Sequence, residues 1–264
     1  METELRITRA NPAGNLTLLI EGDVPPERYA PLAARLLARP DCRAEQAGFL
    51  RPPLGAGAGR LEMSGGEFCG NAARSFGLLL AERKGLAHGM IPVEISGCSA
   101  PVRVGFDRDA GTAYADMPLP ESIGAVDLPE PFGRRPLVRF EGIWHILAPG
   151  LAADRDAFLA ARDAVYASPG APAALGVMFL NESMDAMTPL VYVRGPETVY
   201  EESSCGSGTA AVAAWLAAER SRVTLRQPGG VLTAESVVDG GVLRSLRIGG
   251  PVSFEPPFTV TIEI

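Results

Sequence analysis

Apolar residues fall along this chain in short runs broken by glycine, proline and asparagine, a pattern that predicts many strands and few helices. Arg6–Arg9 and Leu16–Glu21 predict strands joined by the loop Ala10–Asn15. Tyr29–Ala38 carries apolar residues at helical spacing and predicts a surface helix. Pro52–Gly59 predicts a flexible connection, Arg60–Met63 a short strand, and Ser64–Glu67 a loop. Strand-like runs follow at Ile91–Ile95, Val102–Phe106 and Thr112–Met117, and Met117-Pro118-Leu119-Pro120 is the strongest boundary signal. The second half repeats the order. Strands at Leu137–Phe140 and Trp144–Leu147 precede a helix at Asp154–Tyr166; further strands are expected at Val177–Leu180, Leu190–Val193, Val223–Arg226, Val231–Ser236 and Leu243–Ile248.

Two stretches are apolar, alanine-rich and helical in composition: Arg74–Glu82 and Ala210–Glu219. Ala210–Ala218 lacks a wide polar face and is expected to be buried, wrapped by its sheet. Each stretch follows a version of the same phrase, Cys69-Gly70-Asn71-Ala72-Ala73 in the first case and Cys205-Gly206-Ser207-Gly208-Thr209 in the second. The cysteines are 136 positions apart (205 − 69), about half the chain. Each thiol is thus expected at a helix N-terminus, where unpaired N–H groups and the macrodipole favour negative charge. Such an end binds a carboxylate without a basic side chain and raises the thiolate fraction of a cysteine. Gly70 and Gly206 leave the backbone open to close approach. Two opposed ends of this kind would grip a small carboxylate, one thiolate removing an α-proton and the other thiol supplying one to the opposite face.

Composition narrows the alternatives. With 264 residues, 47 % of them hydrophobic, the chain can bury a substantial core. A net charge of −7 argues against a nucleic-acid partner, which calls for a concentrated basic surface. No apolar run has the length of a membrane span, and Met1–Ala10 lacks an apolar signal core, so a cytoplasmic protein without a membrane partner is expected. The single lysine, Lys84, precedes Gly85 at a helix end, a poor place for the buried Schiff-base lysine of a pyridoxal-phosphate enzyme. His88 and His145 are far apart and no metal-binding spacing occurs, so neither a metal site nor a cofactor is expected.

At these residues the chain resembles the diaminopimelate epimerase superfamily of cofactor-independent racemases and epimerases. The likeness runs through Gly14-Asn15, Gly66-Glu67-Phe68-Cys69-Gly70-Asn71, Ser204-Cys205-Gly206-Ser207-Gly208, Gln227-Pro228-Gly229-Gly230 and Gly249-Gly250-Pro251-Val252, in order over nearly the whole chain. It implies an α+β fold of two pseudo-symmetric domains, each a mainly antiparallel, barrel-like sheet around a central helix, with the site in the cleft. The expected domains are 1–118, carrying Cys69, and 119–264, carrying Cys205, with the last strand free to pack back on the first. The resemblance also implies Cys69 and Cys205 as the two acid–base residues, one per substrate hand. Where diaminopimelate epimerases carry Glu-Arg before the second cysteine this chain has Val193-Arg194, and where they carry Gly-Asn-Pro-His it has Gly142-Ile143-Trp144-His145. Losing those polar groups disfavours a zwitterionic distal end. The Gly-Gly-Glu-Phe-Cys-Gly-Asn wording looks instead like the branch that racemises histidine for opine-type metallophores.

The expected substrate-binding set beside the thiols is Asn15, Gly70, Asn71, Glu201, Gly206 and Ser207. Each has a plainer role open to it: Asn71 and Ser207 as helix caps, Asn15 as a turn former, Glu67 and Glu201 as acidic company for a helix start. Arg74 is expected in a buried, helix-supporting ion pair, and Cys42 and Cys98 are expected to be structural. The expected partner is a small amino acid, and exposed strand edges suit a homodimer. Two other functions fit the same residues: diaminopimelate epimerisation, and carboxylate binding without turnover.

Overall fold

A computed structural model describes residues 2–195 and 197–263. Two compact units emerge, one running to Asp116 and resuming at Gly249, the other Met117–Ile248. The first holds strands β1 (Glu2–Asn11), β2 (Thr17–Glu21), β3 (Gln46–Arg51), β4 (Arg60–Met63), β5 (His88–Ile95), β6 (Val102–Asp107) and β7 (Thr112–Asp116), with helices α1 (Tyr29–Leu37) and α2 (Gly70–Arg83). The second holds β8 (Ser122–Leu128), β9 (Gly133–Phe140), β10 (Ile143–Pro149), β11 (Ala174–Leu180), β12 (Met187–Val193), β13 (Thr198–Glu201), β14 (Arg222–Gln227), β15 (Gly230–Asp239) and β16 (Val242–Pro251), whose end carries the chain back to the first unit. Its helices are α3 (Arg155–Tyr166) and α4 (Gly206–Trp215). Strands β17 (Ser253–Phe254) and β18 (Phe258–Glu263) then complete the first unit by pairing with β1.

The fold is a mixed, sheet-rich α+β arrangement. In the first unit the strands follow the order β7-β6-β5-β4-β3-β2-β1, with β2–β3 and β4–β5 parallel. Helix α2 lies against β5, β6 and β7. Its closest approach is at Gly77, where an added Cβ would stand 2.5 Å from Val104 Cγ1. Phe76, Leu78 and Leu79 of α2 join Val93, Val104 and Phe106 in one buried cluster. A separate cluster under α1 stacks Tyr29 on Phe49 with ring centroids 4.1 Å apart. In the second unit β13-β12-β11-β10-β9-β8 form one sheet, antiparallel except at β10–β11, and α4 rests on β9, β10, β14 and β15.

Helix α4 is buried as its composition predicts, Ala210–Ala214 exposing almost nothing, while α2 buries the polar Asn71, Arg74 and Ser75 along with its apolar residues. Helix α4 ends sooner than expected, at Trp215: Leu216 leaves helical geometry, and Ala217 and Glu219 donate to Ala214 and Leu216 carbonyls in a turn. Strands β3, β8, β13, β17 and β18 are additional to the expected ranges. β8 and β13 are edge strands without a buried residue, so no alternation marks them; β3 is short and interrupted by Gly48.

Candidate active site

Each cysteine is the N-cap of its helix. Cys69 (φ −131°, ψ 112°) and Cys205 (φ −108°, ψ 108°) are extended, and each Sγ accepts a backbone N–H from the helix it opens. The donors are Ala72 N at 3.4 Å and Gly208 N at 3.3 Å. Serine, threonine and aspartate oxygens usually occupy this position; here sulfur does, and a hydrogen bond to sulfur favours its charged form. Asn71 and Ser207, expected as alternative caps, lie two residues inside the helices, so their side chains are available for other contacts. None of the four cysteines is disulfide-bonded; Cys42 is buried and Cys98 half-buried.

Around Cys69 the sequence-predicted Asn15, Gly70 and Asn71 come together. Asn71 Nδ2 donates to Asn15 Oδ1 (3.2 Å), which also accepts from Gln46 Nε2 (2.8 Å), and Asn15 Nδ2 donates to Glu45 Oε2 (2.9 Å). Asn15 is therefore more than a turn former. Behind Asn71 stands Arg74, whose Nε donates to Asn71 Oδ1 at 3.1 Å and whose Nη1 donates to the carbonyls of Gly250 (3.0 Å) and Pro251 (2.9 Å). Its partners are an amide and two backbone carbonyls, where the sequence suggested an ion pair. This is also the use of Gly249-Gly250-Pro251-Val252: the returning segment brings its carbonyls to the helix. Burial lowers the Arg74 pKa to about 9, which leaves it charged at neutral pH. The loop ahead of Cys69 is held by Gly97 (φ +74°), where a Cβ would strike Phe68 N at 2.4 Å.

Around Cys205 the partners are Gly206, Ser207, Gln227, His145 and Glu202. Gln227 Oε1 accepts the Cys205 N–H at 2.7 Å and its Nε2 donates to Thr209 Oγ1 at 2.9 Å, tying the helix start to the end of β14. Ser207 Oγ lies 3.6 Å from Cys205 Sγ and 3.0 Å from His145 Nε2. Burial pushes the Cys205 thiol pKa well above its ordinary value; the Glu202 carboxylate pushes the same way, while Ser207 and the Gly208 N–H oppose it. His145 is fully buried and its pKa falls to about 3, so its imidazole is neutral. Glu201 is exposed at the end of β13, so the carboxylate in contact with Cys205 is its neighbour Glu202. Lys84 is exposed at the C-terminal end of α2.

With the geometry in place, the likeness to known proteins can be weighed. Residues 4–255 match the family described as the histidine racemase CntK N-terminal domain. The chain belongs to the histidine racemase family. It is accordingly an isomerase. A histidine racemase of Fusobacterium nucleatum is 32 % identical over 262 residues, covering 94 % of each chain. One from Staphylococcus aureus is 27 % identical, covering 88 % of each. Among solved structures, a predicted epimerase from Pseudomonas aeruginosa superposes with TM-score 0.69 at 17 % identity, covering 97 % of this chain and 98 % of that one. A hydroxyproline epimerase from Agrobacterium vitis does so with TM-score 0.67 at 14 %, covering 98 % and 93 %. These two likenesses concern the fold. Within the histidine racemase family, no helix among this chain's described residues is long and apolar enough to cross a membrane.

Proposed function

We propose that this protein is a cofactor-independent histidine racemase whose acid–base pair is Cys69 and Cys205. The observation that carries the reading is the doubled N-cap: two thiols, each receiving a backbone N–H from a buried helix. One thiolate takes the α-proton, leaving its electron pair on the α-carbon and, by delocalisation, on the substrate carboxylate. The other thiol returns a proton to the opposite face, so that the thiol and thiolate exchange roles over one turnover. The N–H groups at the helix ends stabilise the enolate-like charge. In this reading Asn15, Gly70, Asn71, Gly206 and Ser207 hold the backbone of the amino acid, Glu201 is kept as a candidate for the amine, and the two units serve as paired halves of a diaminopimelate epimerase-like fold.

The family relationship supports histidine as the substrate, and the apolar Ile143 and Val193 disfavour a zwitterionic distal end. The test is α-proton exchange in deuterated buffer with reductant present, followed by proton NMR and chiral chromatography over a panel including L-histidine and diaminopimelate. Deuterium incorporation into histidine with formation of the D-enantiomer is expected. Turnover of diaminopimelate alone would replace the substrate; tight binding of an amino acid without exchange would replace catalysis with capture.

A further inference from the structure

At the sixth residue of the two cysteine phrases the first has Arg74 and the second Ala210. Arg74 has no exposed surface. A buried guanidinium is costly unless its charge and donors are met. Its Nε and Nη1 are bonded, but Nη2 has no partner, and none of its hydrogen-bond acceptors is a carboxylate. The strands packed on α2 offer no neutralising group: they turn Ile91, Val93, Val104, Phe106, Ala113 and Ala115 inward. Their charged residues are used elsewhere, Glu94 by the N–H groups of Leu54, Gly55 and Gly57, Asp107 by the N–H of Ala110, and Arg103 by Asp116, while His88 is exposed. Near Cys69, Glu67 is exposed on the preceding loop and Cys98 contributes a half-buried thiol. Cys69 is the ionisable group coupled to Arg74: a thiolate there raises the arginine's pKa against the effect of burial. That coupling is reciprocal, so the guanidinium must favour the thiolate.

The same side chain orders the amides. Arg74 Nε can only donate, so Asn71 must present Oδ1 to it and turn Nδ2 towards Asn15 Oδ1. Asn15 is then obliged to direct Nδ2 to Glu45. Donation runs in one sense from a cation to a carboxylate, and no amide in the chain can flip without breaking two bonds. We propose that Arg74 is a positioning residue of the Cys69 half of the site, biasing that thiol towards thiolate and fixing the Asn71–Asn15 amides. The Cys205 half has the opposite setting, with a neutral His145 behind Ser207 and Glu202 beside the sulfur.

This inference rests on Cys69 being an acid–base group, but its test does not require turnover. The reduced full chain is alkylated with iodoacetamide across pH, and each cysteine is followed by peptide mass spectrometry, in the wild type, Arg74→Gln and Arg74→Lys. In the wild type the Cys69 midpoint is expected below that of Cys205. Arg74→Gln is expected to raise it by about one pH unit, a tenfold loss of thiolate near neutrality, without moving Cys205. Arg74→Lys is expected to restore most of the midpoint, since it keeps the charge, but to lower α-proton exchange because the fork that orients Asn71 is gone. A Cys69 midpoint at or above that of Cys205 would overturn the proposal, as would a Lys variant displaced as far as Gln or a folded Gln variant not displaced at all. Should Arg74→Gln fail to fold, the wild-type comparison and the Lys variant decide between these outcomes. A protein inactive on histidine but showing these shifts would fail the racemase reading and leave the role of Arg74 standing.

Discussion

A cysteine at an N-cap holds its helix and keeps its sulfur in the field of the helix end, so structure and chemistry share one atom. Substituting serine separates them. An oxygen caps a helix at least as well as sulfur, whereas an alcohol ionises far less readily than a thiol. Cys69→Ser and Cys205→Ser are therefore expected to melt within a few degrees of the wild type and to lose racemisation by a factor on the order of 10² to 10⁴. Circular dichroism and α-proton exchange check the two halves of that statement; full activity in either variant would end the two-thiol mechanism. Gly208 makes a related point by packing. A Cβ there would stand 2.1 Å from Met178 Sδ and 3.2 Å from Cys205 Sγ, so the second thiol sits in its place only because this residue lacks a side chain. Gly208→Ala is expected to cost about 1–3 kcal/mol in urea unfolding and to slow exchange, because the displaced atoms include the sulfur proposed to react.

Among the elements, the two Cys-capped helices were the most legible in the sequence, because a largely apolar run follows each Cys-Gly, and in α4 it leaves no wide polar face and has to be buried. Phe76 measures what burial contributes to α2. It is 1 % exposed within the cluster that includes Val104 and Phe106, so Phe76→Ala is expected to destabilise by about 3–5 kcal/mol, read from the urea midpoint. Strands that bury one face were also legible, Arg60–Met63 to the residue. Edge strands such as Ser122–Leu128 were not, because a ribbon exposed on both faces needs no hydrophobic pattern. The site divides along a similar line. The thiols announced themselves by repetition and by the helices they open. Their supporting groups could not, since each arrives from a distant part of the chain: His145 is 62 positions from Ser207, Gln227 is 22 from Cys205, and Gly250 is 176 from Arg74. Glu202 escaped notice for a smaller reason. The sequence singled out its neighbour Glu201, and only the end of β13 determines which of two adjacent carboxylates meets the sulfur.

At the scale of the whole molecule, a single buried imidazole makes stability depend on pH. His145 has no exposed surface, meets Phe140 edge-on, and is seated beside Gly176, where a Cβ would lie 2.4 Å from its Nδ1. Burial carries its pKa from 6.5 down to about 3, and Nδ1 has no hydrogen-bond partner. Below pH 6.5 the unfolded chain takes up a proton at this residue and the folded protein does not, so protonation favours unfolding. The contribution is intact above 6.5 and is lost as pH falls towards 3, at about 1.4 kcal/mol per pH unit across most of that window. Carboxylates that titrate over the lower part of the window add slopes of their own, so the quantity to compare is the difference between two proteins. His145→Gln cannot titrate; although it starts less stable, its urea midpoint is expected to fall more shallowly than the wild type's between pH 6.5 and 4. Parallel curves would mean that His145 is solvated or charged in the folded protein. The neutral support assigned to Ser207, and with it the contrast between the surroundings of Cys205 and the cationic surroundings of Cys69, would then have to be abandoned.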